Sequence, residues 1–270
     1  MSGARRGLLA FALTVTAAHA QARPQIGNGV KHARASISAV AVSATRAQLL
    51  VTLALEPGWH VSWRNPGETG LPTRLSWSLP AGVRVLNETW PVPVIAHTPV
   101  GATHTLEGDV PWLVEFALDS ATSSDRLVSL TMRYGICRNV CIPEQITVQG
   151  ALPGRQGATL TPVPPALRAR LVTDAGFIAA RRRSKTELCL ARVPLAAAPP
   201  LPELVADSGL GLDAALPLAP AARPPNRAYV VNVGAASQLK SGSRVLFVRG
   251  TEGSSARLDF ARAAPGCSAR

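Results

Sequence analysis

From residue 37 onward, apolar and polar positions mostly alternate with a period of two. Residues 37–42 and 49–55 alternate or run apolar with β-branched side chains, and Trp59, Val61 and Trp63 alternate with His60 and Ser62. Such alternation predicts half-buried strands, because successive side chains of a strand point to opposite faces. Leu75, Trp77 and Leu79 predict another strand, ended by Pro80-Ala81-Gly82, after which Val83 and Val85 resume the pattern. Residues 111–118, 126–134 and 145–151 predict three more. Between them lie turn signals: Pro57-Gly58, and a loop dense in Pro and Gly at 64–72. Trp90-Pro91-Val92-Pro93 reads as extended but unsuited to a central strand, since proline has no amide to give a ladder. Many short strands, and no long helical period before Pro162, predict an all-β sandwich over residues 21–155.

The pattern changes near residue 156. Residues 159–165 hold three prolines, so a linker is expected at 156–165. Leu167, Leu171 and Ile178 fall near helical spacing and predict a short helix within 166–180. Residues 192–227 are rich in Ala, Pro and Leu and give little secondary-structure signal. Residues 229–233, 244–248 and 257–260 predict strands, making 166–270 a second, smaller β-rich domain.

The first residues read as a targeting segment. Arg5 and Arg6 precede an apolar run at 7–17, shorter than the roughly 20 residues a membrane span needs, and Ala18-His19-Ala20 is a small-x-small cleavage signature. A signal peptide over 1–20, cut near Ala20 with Ala22 as the alternative, implies an exported, extracytoplasmic mature chain in a compartment that permits disulfides. The polar residues 21–34 read as a flexible leader. No later stretch reaches the apolar length of a membrane span.

The net charge of +12 resembles a nucleic-acid signal until it is divided along the chain. Residues 21–150 carry 10 basic and 9 acidic residues, whereas 151–270 carry 16 and 7. Arg181-Arg182-Arg183 is a local run without interleaved aromatic residues, which single-strand stacking requires. With an exported chain, this argues against nucleic acid and for a solvated face, or a contact with a membrane surface or acidic partner.

Four cysteines allow three pairings. Cys137 and Cys141 stand four apart, and on one extended strand their Cα atoms would lie about 13 Å apart, beyond the roughly 7 Å a disulfide tolerates. A helical turn brings them together, but Pro143 discourages its continuation. A tight turn or single helical turn at a strand end fits both constraints and sets the pair at an edge or loop. The pair can serve thiol–disulfide exchange, a small structural bridge, or a soft metal such as Cu(I). A structural bridge across so short a loop stabilises little, and Arg138 would favour a thiolate by charge. Local pairing leaves Cys189 for Cys267, a structural bridge that ties the last residues back to an earlier strand. His32, His60, His97 and His104 do not make a zinc pattern, and no Ser-His-Asp, phosphate-loop or metalloprotease signature occurs. His60 reads as the polar side of its strand rather than a ligand or acid/base group.

Two stretches together resemble a known family. Pro57-Gly58-Trp59-His60-Val61-Ser62-Trp63-Arg64-Asn65-Pro66-Gly67-Glu68-Thr69-Gly70-Leu71-Pro72-Thr73 is followed by Cys137-Arg138-Asn139-Val140-Cys141-Ile142-Pro143-Glu144. This is similar to the N-terminal periplasmic domain of DsbD-like thiol:disulfide interchange proteins, especially the ScsB-type branch, over residues 40–150. Trp77-Ser78-Leu79-Pro80-Ala81-Gly82, Trp90-Pro91-Val92-Pro93 and Glu107-Gly108-Asp109 fit the same pattern. Tyr134 stands where the family often has tryptophan, and Leu106 where it has an aromatic residue. The resemblance implies an immunoglobulin-like sandwich whose pair, here Cys137 and Cys141, relays electrons without a cofactor. The donor it implies is a membrane-embedded thiol–disulfide module, expected on a separate chain. The acceptor is a periplasmic thioredoxin-like or disulfide isomerase-like protein. The competing readings are a non-enzymatic cell-envelope binding module with structural disulfides, and a Cu(I)-handling protein using the same thiolates.

Overall fold

A computed structural model describes residues 32–99, 101–119, 126–152, 160–197, 199–207, 210, 212–221, 228–234 and 238–267. The expected signal peptide and most of the leader lie outside the described residues, as does part of the expected linker.

The chain is nearly all β. The first half supplies β1 (Ala33–Val42), β2 (Arg46–Leu55), β3 (His60–Gly67), β4 (Arg74–Ser78), β5 (Val83–Thr89), β6 (Val94–Thr98), β7 (Gly101–Glu107), β8 (Asp109–Leu118), β9 (Arg126–Cys137) and β10 (Cys141–Leu152). One sheet has the order β1-β2-β8-β5; a second has the order β10-β9-β3-β7-β6, with β4 also on β9. Their inner faces form one core. Leu49, Val51 and Leu53 of β2 and Trp112, Val114 and Phe116 of β8 meet Leu130, Met132 and Ile136 of β9 and Ile146 and Val148 of β10. On β9 and β10 these are every second residue, as the alternation predicts. Trp63, Trp90 and Trp112 add edge-to-face ring contacts at 6.1 and 5.7 Å. This is the expected immunoglobulin-like sandwich.

The second half is described by α1 (Pro165–Ala169), β11 (Thr173–Arg182), β12 (Glu187–Ala191), β13 (Glu203–Ala206), β14 (Leu216–Pro217), β15 (Ala219–Pro220), β16 (Ala228–Asn232), β17 (Arg244–Arg249) and β18 (Glu252–Asp259). Its strands make one sheet of order β14-β13-β17-β18-β11-β12-β16-β15. Inward residues from six of them, including Ile178, Leu190, Leu204, Tyr229, Phe247 and Leu258, share one core, so the sheet curls around it. The helix expected within 166–180 ends after five residues. Ile178 lies instead on β11, whose parallel pairing with β18 overrides the weak helical spacing.

The two halves are not beads on a string. Val205, Leu246 and Val248 of the second half belong to the core of the first. Residues 170–172 are stitched to 90–92: the Val92 amide donates to the Arg170 carbonyl at 2.8 Å, and the Val172 amide to the Trp90 carbonyl at 2.9 Å. Arg170 also reaches the Glu107 and Asp109 carbonyls. At the same seam, Arg64 pairs with Asp207 at 2.6 Å and lies over the Trp63 ring at 4.7 Å. Burial pushes Arg64 down and Asp207 up from their ordinary pKa values, each opposed by the other's charge. Asn65 Nδ2 donates to the carbonyls of Ala206 and Leu212, both at 2.9 Å.

Candidate functional site

β9 and β10 form an antiparallel hairpin closed by Arg138-Asn139-Val140, in which Cys137 and Cys141 are direct ladder partners. Their Cα atoms are 4.1 Å apart and the sulfurs are bonded. Of the two local backbones that the spacing allowed, the chain uses the tight turn, with the Arg138 amide donating to the Val140 carbonyl at 3.2 Å. The strand expected from residue 145 begins at Cys141 instead, with Pro143 inside it opposite Gly135. An edge strand accommodates that proline, and β10 is the outermost strand of its sheet.

The two cysteines differ in access. Cys137 is buried, at 3% exposure, whereas Cys141 is exposed at the hairpin tip. Apolar side chains stand open around it: Val140 is 68% exposed, Ile142 40%, and Leu71 39%. The loop expected at 64–72 starts only after Gly67, because β3 runs through residues 64–67; Leu71 comes from that shorter loop, which folds back over β9. A Cβ on Gly135 would stand 2.7 Å from the Leu71 Cβ, so glycine is what permits this approach. The loop is pinned at its end by the Thr73 hydroxyl, which donates to the Ser62 carbonyl at 2.5 Å.

The neighbouring strand completes the surroundings. His60 pairs with Cys137 on one side and with Glu107 on the other, so Glu107, His60, Cys137 and Cys141 form one row across four strands. His60 is half-buried. Arg138 is exposed, and its guanidinium reaches the Pro57-Gly58 turn, where a Cβ on Gly58 would stand 3.6 Å from Nε. Trp59 beside it stacks on His32 at 3.9 Å, and His32 pairs with Glu56 at 2.7 Å. Beneath the hairpin, the Tyr134 phenol oxygen is buried without a hydrogen-bond partner. Burial and then the charge of Glu144, its ladder partner, push its pKa up to about 12. A sequence reading finds the cysteines. It does not find the Leu71 loop, the His32–Trp59 stack or the His60 row, which depend on strand register.

Cys189 and Cys267 also form a disulfide, with Cα atoms 5.8 Å apart and a separation of 78 residues. Both are buried, together with Ala228, on the outer face of the eight-stranded sheet. The basic run 181–183 does not make one charged face. Arg183 pairs with Glu187 at 3.0 Å, Arg182 donates to the Leu239 carbonyl at 2.8 Å, and Arg181 to the Cys267 carbonyl at 3.4 Å. Among the described residues, no three His, Cys, Asp or Glu side chains are grouped to hold a metal, and no helix is long and apolar enough to cross a membrane.

An immunoglobulin-like sandwich with a disulfide at the tip of an edge hairpin fits the class of thiol:disulfide interchange modules, to which the family match points. Residues 30–153 match the family described as thiol:disulfide interchange protein DsbD, N-terminal, and are a DsbD-like N-terminal domain. The N-terminal periplasmic domain of ScsB from Proteus mirabilis is similar in structure, with a TM-score of 0.59 at 18% identity, covering 89% of this chain and 100% of that one. The shared fold therefore extends beyond the family match and into the second half. The GAE domain of GGA2p from Saccharomyces cerevisiae overlaps more weakly, with a TM-score of 0.33, 7% identity, and 49% and 99% of the two chains covered. No curated protein matches the chain.

Proposed function

We propose that this chain is a periplasmic relay of reducing equivalents that works by reversible thiol–disulfide exchange at Cys137 and Cys141. One observation carries the reading: the disulfide sits at the tip of an edge hairpin with Cys141 exposed, Cys137 buried and an apolar surround. A donor thiolate attacks the Cys141 sulfur, the S–S bond breaks, and Cys137 leaves as a thiolate that takes up a proton. The donor's second thiolate then attacks its own sulfur in the mixed disulfide and releases Cys141. The donor pair ends as a disulfide and this pair as two thiols. The same steps in reverse, begun by the Cys141 thiolate on an acceptor's disulfide, pass the two electrons on. Arg138 at the turn favours the thiolate form by charge. Exposed Val140, Ile142 and Leu71 supply an apolar contact for either partner.

The donor is a membrane-embedded thiol–disulfide protein on a separate chain. The acceptor is a periplasmic thioredoxin-like or disulfide isomerase-like protein. Residues 1–20 act as the signal peptide, cut near Ala20. The exchange domain spans 21–155, followed by a linker at 156–165 and a second domain at 166–270 whose Cys189–Cys267 bridge is structural. The test is a redox titration of the mature protein, with thiols trapped by alkylation and each cysteine mapped by mass spectrometry. The expected result is a 137–141 pair titrating between about −180 and −270 mV while 189–267 stays oxidised. Resistance of both pairs below about −300 mV would replace the relay with a binding module held by structural bridges.

A further inference from the structure

The outer face of the eight-stranded sheet is covered at two places and open between them. At one end Val205, Leu246 and Val248 enter the first half's core. At the other, the disulfide to Cys189 draws the C-terminal segment across β12. Between these covers lies a groove whose floor includes Ala179 and Ala191, ladder partners on β11 and β12, and whose wall is residues 262–265. Phe177 lies along it with 50% of its surface exposed, on a strand otherwise well packed on its other face.

The charged side chains that line this groove are all basic. Arg181, Arg192 and Arg262 line it and are all exposed, and the Arg257 guanidinium lies 5.8 Å from the Phe177 ring centre. Among the described residues, none of these four makes an ion pair. Among the described residues, no carboxylate lines the groove. Asp259, opposite Ala179 in the ladder, already accepts from the amides of Ala261 and Arg262 at 3.0 and 3.2 Å. The half that carries the groove also holds the chain's excess charge, 16 basic against 7 acidic residues over 151–270.

Guanidinium groups suit carboxylates because their planar fork donates two parallel hydrogen bonds. We infer that the groove is a docking site for an extended acidic segment of another protein, with carboxylates on Arg181, Arg192 and Arg262 and an apolar side chain against Phe177. A peptide fits this shape better than a membrane, since a flat headgroup layer does not reach a floor walled by residues 262–265. The site is separate from the cysteine hairpin, none of whose residues lines it.

The probe is a fluorescein-labelled dodecapeptide of alternating Glu and Val, titrated with the oxidised mature protein and followed by anisotropy. Its Lys–Val counterpart and vesicles containing phosphatidylglycerol are run beside it. The expected result is saturable, salt-sensitive binding of the Glu peptide alone. The Arg181→Glu/Arg262→Glu variant should weaken that binding by at least about tenfold, with Phe177→Ser giving a smaller loss. Melting temperature and exchange at Cys137–Cys141 should not change in either variant. Failure of the Glu peptide to bind, or equal binding by the double variant, overturns the inference. Vesicle binding that the double variant loses, without peptide binding, reassigns the patch to anionic lipid.

Discussion

The two disulfides of this chain join very different places. Cys137–Cys141 closes a three-residue turn between ladder partners, with one cysteine exposed at the sheet edge. Cys189–Cys267 spans 78 residues, and both of its cysteines are at most 1% exposed. In the chain-entropy account, stabilisation grows with the loop closed, so the short bridge adds little and the long one adds about 2–5 kcal/mol. Attack by a thiolate needs access, so reachability runs the other way. Under the proposed function, reactivity and stability are divided between the two bonds.

Removing one sulfur from each bond breaks or sharpens that division. Cys141→Ser should abolish exchange with a dithiol partner while leaving the melting temperature within a few degrees, because the hairpin retains its ladder and its core side chains. Substantial unfolding of Cys141→Ser would show that the short bridge is structural after all. The paired variant Cys189→Ser/Cys267→Ser should do the opposite. It should lose about 2–5 kcal/mol in chemical denaturation and keep its exchange rate. A paired variant as stable as the parent would remove the contrast.

The seam between the halves offers a pH test of the same division. His104 is fully buried on β7; its Nδ1–H donates to the Asn65 carbonyl at 2.9 Å, and its Nε2 has no partner. Burial lowers its pKa, opposed by that hydrogen bond and more weakly by Glu203 and Asp213, while His97 adds to the lowering. The unfolded chain therefore binds more protons than the folded one just below the ordinary histidine value of about 6.5. Stability should rise with pH through that window and fall on acidification. Melting temperatures measured from pH 5 to 7.5 should show this slope, and His104→Asn should flatten it. An unchanged slope would locate the acid sensitivity elsewhere. Exchange at the hairpin, on another part of the sheet, should show no dependence on this substitution at pH 7.

Much of the first half was legible because its alternating side chains face one core. β2, β8 and β9 fall where Leu49–Leu55, Trp112–Phe116 and Leu130–Tyr134 alternate or run apolar. The start of β10 was hidden by Pro143, which a sequence reading counts as a breaker and an edge strand tolerates. β6 and β7 carry His97, Thr98, Thr103, His104 and Thr105 and give no apolar alternation. β13, β14 and β15 are too short to show a period amid Ala, Pro and Leu. For the site, the cysteine spacing fixed a turn, and Pro57-Gly58 marked the neighbouring one. Nothing local paired Arg64 with Asp207 or Asn65 with Ala206, because those partners lie over 140 residues apart along the chain and meet only through the fold.

Tyr134 lies where the proposed exchange hairpin meets the scaffold, three residues before Cys137 and within the first half's core. Its hydroxyl is buried without a partner, which costs about 1–3 kcal/mol in desolvation. Its folded pKa of about 12 lies above the ordinary phenol value near 10, so the unfolded chain loses its proton first as pH rises. Stability should therefore fall between about pH 10 and 12. Tyr134→Phe keeps the ring and removes the hydroxyl. The change at pH 7 should be neutral to stabilising by about 1 kcal/mol, and part of the alkaline loss should vanish. Exchange kinetics at pH 7 should match the parent, since the phenol is neutral there and faces the core. A severalfold slower exchange in a fully folded Tyr134→Phe would mean that the hydroxyl acts on the cysteine pair. The boundary between chemistry and scaffold would then lie inside the core rather than at the hairpin tip.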